Sequence, residues 1–328
     1  MSVPALRPMT VGDILDQAFS LYRKNFITLV GIVAVVHVPL LVLEIAGSLL
    51  FGTQLLNRTG PSVFTQAPSA ATLGGIGILV LTVVVAGLAQ VFETSALSVV
   101  VSERLLGNTI NLRQAYGRAL SRWRALFAMI FIIGGATVAF LLLLFIPVGI
   151  FAVLIGVVLG TGSNSATGGL ISAGIVCMTC LALPIGLIAT YGLSVRLLFT
   201  PQAIVLEKLG GIEGLRRSWR LVRGSFWRVL GITLVLSILV AIIGQGPAYV
   251  ITIVASALPF PALGIVINAV TQALINIVVL PLEFAAFTLL YYDLRIRKEG
   301  FDLQLMAEQL RPSLSGLSSD SGGDIVAA

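Results

Sequence analysis

Six apolar runs, each at least 18 residues long, dominate this sequence and dictate the solvent it folds in. They lie at about Phe26 to Phe51, Leu73 to Val101, Ala125 to Phe145, Leu170 to Leu198, Phe226 to Gln245 and Leu263 to Tyr291. At about 1.5 Å of rise per residue, a helix of that length crosses the ~30 Å hydrocarbon core of a bilayer. Inside lipid, helices also satisfy every backbone N–H and C=O internally. Charged residues make up 10% of the chain and hydrophobic ones 57%, too little charge to cover these runs with a soluble surface. The expected fold is an all-α polytopic membrane protein with six transmembrane helices. After Ile146-Pro147-Val148-Gly149 and after Gly244-Gln245-Gly246-Pro247, about a dozen further apolar residues follow, too few to cross again. They read as kinked extensions or short outer helices.

Basic residues set the expected orientation. Nineteen of the twenty Lys and Arg fall on one side of the six spans, and only Arg58 falls on the other. Because Lys and Arg are retained on the cytoplasmic side during insertion, both termini are expected inside a cell membrane. Asp13 and Asp16 stand where a signal peptide would be basic, so the first span is expected to stay in the mature protein.

The chain also repeats itself. The segment AFSLYRKNFITLVGI from Ala18 matches SWRLVRGSFWRVLGI from Ser218 at an offset of 200, and AYGRALSRWRALFAM from Ala115 is a weaker middle copy. Each copy precedes an odd-numbered span and reads as an amphipathic helix in the membrane interface. In the third, Ile212, Leu215, Trp219, Val222, Phe226 and Val229 form the apolar stripe, with Arg216, Arg217, Arg220, Arg223 and Arg228 beside it. Thr10 with Asp13, and Asn111 with Gln114, have capping-box spacing at the first two. The even spans align too: at an offset of 190, Glu93 matches Glu283 and Glu103 matches Asp293, whereas Gly186 and Arg196 replace the acids in span four. The unit is therefore an interfacial helix plus a two-helix hairpin, at about 11–107, 108–210 and 211–311 of a single membrane domain, 1–311. A Ser/Gly-rich tail, 312–328, is expected to be disordered. Arg196 is expected to pair with Glu103 or Asp293.

Glu93 and Glu283 are the candidate intramembrane polar site, because an acid in a span costs about 3 kcal/mol to insert and normally faces the bundle interior. The plainer reading is a structural tie to Gln90, Gln272 or Asn276. His37 and Glu44, seven apart, share a helical face, where a lone His usually packs. Arg216, Arg217, Arg220 and Arg223 are candidate contacts for anionic lipid headgroups, or simply topology determinants. Cys177 and Cys180 sit in an apolar run, with neither a metal nor a redox setting around them. No convergent set of nucleophile, base or metal ligands stands out, so no enzyme, cofactor or metal is expected, and the basic balance needs no nucleic acid to explain it.

The segments RPMTVGDILDQAFSLYRKNFITLVGI, IVLEKLGGIEGLRRSWRLVRGSFWRVLGI and LLYYDLRIRKEGFDLQLMAEQL resemble an uncharacterised family of bacterial and archaeal multispan membrane proteins. That family is labelled as the membrane domain of glycerophosphoryl diester phosphodiesterases. The resemblance implies a phosphodiesterase partner or fusion. It does not imply hydrolysis by this chain, since such hydrolases use a catalytic His pair and this chain has one His, His37, inside a span. The expected role is a lipid-interacting, scaffolding or anchoring membrane protein. The alternative is a transporter of a small solute or lipid, with its site at the intramembrane acids.

Overall fold

The computed structural model describes residues 8–56, 70–160, 165–300 and 304. Among these residues the chain forms eleven α-helices, one π-helical turn and no strand. In chain order the helices are α1 Val11–Lys24, α2 Phe26–Leu56, α3 Ala70–Leu105, α4 Leu112–Leu120, α5 Trp123–Gly160, α6 Ser165–Leu197, α7 Thr200–Leu206, α8 Gly211–Val222, α9 Phe226–Val240, α10 Gly246–Ser256 and α11 Pro261–Glu299. Six stretches are long and apolar enough to cross a membrane: Phe26–Phe51, Thr72–Leu105, Trp123–Ile146, Ala182–Leu206, Phe226–Ser256 and Pro261–Glu299. The chain is an all-α polytopic protein. The tail at 312–328 and the basic residues Arg7, Arg58 and Arg311 lie outside the described residues.

Three helices that precede long apolar ones, α1, α4 and α8, begin in the same way. The third residue of the helix folds its side chain back onto the N–H just before the helix: Asp13 to Thr10 at 2.8 Å, Gln114 to Asn111 at 3.1 Å and Glu213 to Gly210 at 3.0 Å. At α1 the Thr10 hydroxyl completes the box by accepting from the Asp13 N–H at 3.2 Å. The chain then turns into a long apolar helix across one to three residues. Asn25 makes the first corner, Ser121 and Arg122 the second, and Arg223, Gly224 and Ser225 the third. Gly224 has φ +82°, a left-handed conformation that glycine adopts without a Cβ clash.

Packing divides the chain into two compact units: Met1–Ser121 with Ile232–Ala328, and Arg122–Gly231. In the first, α2 packs along α3, and α11 packs against α1, α2 and α3. Its core lies where Ala96 to Val101 of α3 and Phe284 to Leu294 of α11 are buried, whereas Val80, Leu81, Val83 and Val84, earlier on α3, are exposed. Exposed valine and leucine at that density suit a hydrocarbon surround. In the second unit α5 and α6 pair as a hairpin, and α8 rests on α5, α6 and α7.

The two overrunning spans resolve differently. Span three runs on through Pro147 as one helix to Gly160. Span five passes through the π-helical turn Ala241–Gln245 and continues as α10, with Pro247 in the first turn. The wider turn absorbs the hydrogen bond that Pro247 cannot donate.

Close approach of α2 and α3 depends on glycine. A Cβ on Gly75 would stand 2.6 Å from the backbone N of Phe51, so the helices meet with no room for one. Gly74, one residue earlier, faces open space. Gly75→Ala is therefore expected to lower stability by roughly 1–3 kcal/mol, the usual range for overpacking, while Gly74→Ala leaves it unchanged or slightly raised. Thermal unfolding of the two variants in detergent checks this; equal melting temperatures would show that the helices separate at no cost.

Candidate functional site

Polar residues in the first unit gather in one seam. Along α3, Thr94, Ser95, Ser98 and Ser102 are buried, and on α11 so are Thr288 and Asp293. Their hydroxyls first satisfy themselves on the helix backbone four residues back: Thr94 on Gln90 O at 2.7 Å, Ser95 on Val91 O at 2.8 Å, Ser98 on Thr94 O at 2.7 Å and Thr288 on Phe284 O at 2.9 Å. Across the helices, the Thr288 hydroxyl lies 3.4 Å from that of Ser98, and Ser102 shares a 2.6 Å hydrogen bond with the Tyr292 hydroxyl. Both pairs are 190 residues apart, the offset at which the even spans align. Sequence reasoning missed these residues, although that offset already set Ser98 against Thr288 and Ser102 against Tyr292.

Glu93 directly precedes this ladder on α3, with its side chain fully buried. Neither carboxylate oxygen has a hydrogen-bond partner among the described residues. His37 on α2 approaches Glu93, with Nδ1 3.6 Å from Oε2 and 3.2 Å from Val33 O. Gln90, Gln272 and Asn276, the ties considered for the two acids, therefore do not hold Glu93. Tyr116 of α4 closes the region by donating to Ile32 O at 2.8 Å. Burial, and after it the negative charge of Glu93, pushes the Tyr116 phenol up, so it remains a donor. Glu283, the aligned acid on α11, is half-buried, and so is Glu44.

The ion pairs of Glu103 and Asp293 are local, each made with an arginine of the same unit. Glu103 pairs with Arg118 of α4 and accepts from Asn108 at 2.8 Å. Asp293 accepts from Arg297 at 3.0 Å and from the Met9 N–H at 2.7 Å, and Arg297 donates to Met9 O at 2.8 Å, so α1 is tied to the end of α11. Arg196 is exposed and lies over two rings, 4.5 Å from Trp219 and 5.3 Å from Phe226. Aromatic rings under a cation attract it without a carboxylate.

In the second unit α8 docks by its smallest residues. A Cβ on Gly211 would stand 2.8 Å from Ala125 O, and one on Gly214 would stand 2.5 Å from the Ile204 side chain. Ser218 donates to Arg196 O at 2.8 Å and accepts from the Phe199 N–H at 3.2 Å. The buried face is thus Gly211, Gly214, Ser218, Leu221 and Val222, and of the expected apolar stripe Ile212 and Trp219 point outward instead. Glycine at 211 and 214 lets the backbone approach more closely than the larger side chains allow, which decides the face. Arg216, Arg220 and Arg223 remain exposed, whereas Arg217 is drawn off into a bidentate bridge to Glu207, with bonds of 2.8 and 2.9 Å. Arg216, Trp219 and Arg220 line a groove of about 760 Å³ with Leu197, Leu209 and Glu213.

Cys177 and Cys180 are free thiols exposed on α6. Among the described residues, no group of three or more His, Cys, Asp or Glu is placed to hold a metal ion.

A buried carboxyl without a partner destabilises the fold unless something else requires it. Glu93→Met, which fills a similar volume without the polar atoms, is therefore expected to raise stability by roughly 1–3 kcal/mol, the penalty for such a group. A higher melting temperature in detergent bears this out, and a lower one would show that the carboxyl is held by bonds the fold needs.

No curated protein and no solved structure matches this chain. A family model does match, over residues 9–294, from just before α1 to the polar end of α11. The chain belongs to the family described as Domain of unknown function (DUF7847).

Proposed function

We propose that this protein is a non-enzymatic membrane protein that engages anionic lipid headgroups through α8. The observation that carries this reading is the exposed face of that helix, where Arg216 and Arg220 flank Trp219 along one groove. Basic residues near an anionic leaflet each contribute about 1 kcal/mol, and indole rings partition to the headgroup level. The charge bias along the chain supports a cell-membrane location with both termini in the cytoplasm, which puts α8 at the inner leaflet. An anchoring or scaffolding role follows, and the resemblance to phosphodiesterase membrane domains supports a phosphodiesterase as the partner anchored.

A specific observation favours a second reading, transport of a small solute or lipid: the fully buried, unpartnered carboxyl of Glu93 beside His37. Buried ionisable residues in spans commonly mark ion or substrate paths.

Replacing Arg216 and Arg220 together by Gln is expected to weaken binding of phosphatidylglycerol by about 30-fold, the equivalent of about 2 kcal/mol, and to leave phosphatidylcholine binding unchanged. Native mass spectrometry of the purified chain with each lipid reads this directly, and undiminished phosphatidylglycerol binding would refute the headgroup contact. The transport reading predicts that Glu93→Cys and Glu283→Cys, in a background with Cys177 and Cys180 changed to Ser, react with a membrane-impermeant thiol reagent. Protection of both positions in the folded protein removes that reading.

A further inference from the structure

The groove beside Arg216 and Arg220 has a neighbour across one arginine. Its Trp219 ring lies under the Arg196 guanidinium, and the other ring under that guanidinium is Phe226. Phe226 in turn belongs to a second groove, of about 520 Å³, lined by Tyr191, Gly192, Trp227 and Leu230 with Leu187 and Ile188. This second groove is apolar, apart from the Tyr191 hydroxyl, and its volume is within the range of small-ligand sites. Trp227 and Ile188 on its walls are 80% and 73% exposed. A cationic groove and an apolar groove therefore adjoin at one arginine, and both belong entirely to the second unit.

Charge decides what fits. Arg196, Arg216 and Arg220 present three exposed cations at the junction. Glu213 is the one acid lining the cationic groove, and its Oε2 is turned to the Gly210 N–H at 3.0 Å. The Arg196 guanidinium lies over the Trp219 and Phe226 rings and stays exposed, and a phosphate accepts guanidinium N–H groups in pairs. A soluble anion has no use for the apolar groove, and a neutral chain has none for the arginines.

We propose that the second unit holds one anionic phospholipid, with its phosphate at Arg196, Arg216 and Arg220 and one acyl chain in the groove of Tyr191, Gly192, Phe226 and Trp227. This rests on the headgroup reading of α8 and adds the chain site and the third arginine. Gly192 is the floor of the chain site: a Cβ there would meet only Phe226, at 4.0 Å, so the space above it is open.

The experiment uses the full chain in detergent with Trp123→Phe, which leaves Trp219 and Trp227 as the tryptophans. Phosphatidylglycerol and phosphatidylcholine carrying brominated acyl chains are titrated, and quenching of tryptophan emission is read. Phosphatidylglycerol is expected to half-quench at about one thirtieth of the phosphatidylcholine concentration, a difference of about 2 kcal/mol. Arg196→Gln, which spares α8, is expected to abolish most of that preference. Gly192→Leu fills the groove and is expected to weaken both lipids at least fivefold with their ratio kept. Gly192→Ala, which needs no rearrangement, gives the same change at smaller size should the larger variant fail to fold. Unchanged titrations with both Gly192 variants overturn the chain site while the α8 contact stands, provided Arg216→Gln with Arg220→Gln still removes the preference. Equal quenching by the two lipids in the unsubstituted site overturns both.

Discussion

At the start of α1, α4 and α8 a side chain from the third helical residue closes the N–H that the helix leaves open. The contact is small, but it fixes where each short helix begins, and each short helix then hands the chain to a long apolar one after a corner of one to three residues. A helix start carries several N–H groups without intrahelical partners, and near hydrocarbon water does not reliably supply them. Asp13, Gln114 and Glu213 differ in charge yet make the same bond, because the geometry requires an acceptor and not an anion. With the starts pinned, the residues that face inward follow in register: Ile14 and Ala18, Ala115 and Ala119, Gly214 and Ser218 are the buried pairs, each four apart.

From that scaffold the first unit builds a hydroxyl seam. Serine and threonine bonded to their own helix backbone are nearly neutral in cost and narrow enough for α3 and α11 to approach, so burial there needs few cross-helix bonds. Glu93 breaks the pattern. A carboxyl lacks a short backbone bond of that kind, and His37 at 3.6 Å is beyond hydrogen-bond reach. The seam therefore contains one group whose presence packing does not explain, and this makes Glu93 the residue at which a lipid-binding and a transporting protein differ.

Much of the fold was legible because lipid imposes a length on apolar runs: spans one to three fall within a few residues of those read from the sequence, while span four is shifted to Ala182–Leu206 and spans five and six run on to Ser256 and Glu299. The capping boxes at Thr10 and Asn111 were legible from their spacing, while the one at Gly210 was not, since glycine offers no side chain to signal it. Periodicity misjudged the buried face of α8. It ranked Ile212 and Trp219 by hydrophobicity, but in a membrane the exposed face is apolar too, so steric fit at Gly211 and Gly214 decides instead. Charge alone likewise gave no sign of where the Arg196 and Arg217 side chains lie. Sequence gives the sign of a residue, but only the arrangement of neighbours shows that Glu207 had already claimed one arginine and two aromatic rings the other.

The position of Arg196 carries the sharpest contrast in the chain. Where span two offers Glu103 and span six Asp293, each acid recruits an arginine, Arg118 or Arg297, and the pair fastens a neighbouring segment to the end of a long helix. Span four has the opposite charge at that place, so the fastening is done without it: Ser218 joins α8 to the end of α6 through Arg196 O and the Phe199 N–H. The backbone of Arg196 is thus structural while its side chain is left over, exposed and stacked on rings. Glu93 and Glu283 are matched by Gly186, whose added Cβ would stand 2.5 Å from Leu144, so the second unit closes its hairpin with packing where the first places an acid. Polar capacity stands at the end of the helices, beside an apolar groove, in the second unit and inside them, as the buried acid Glu93, in the first, and the proposed amphiphile site rests on that contrast.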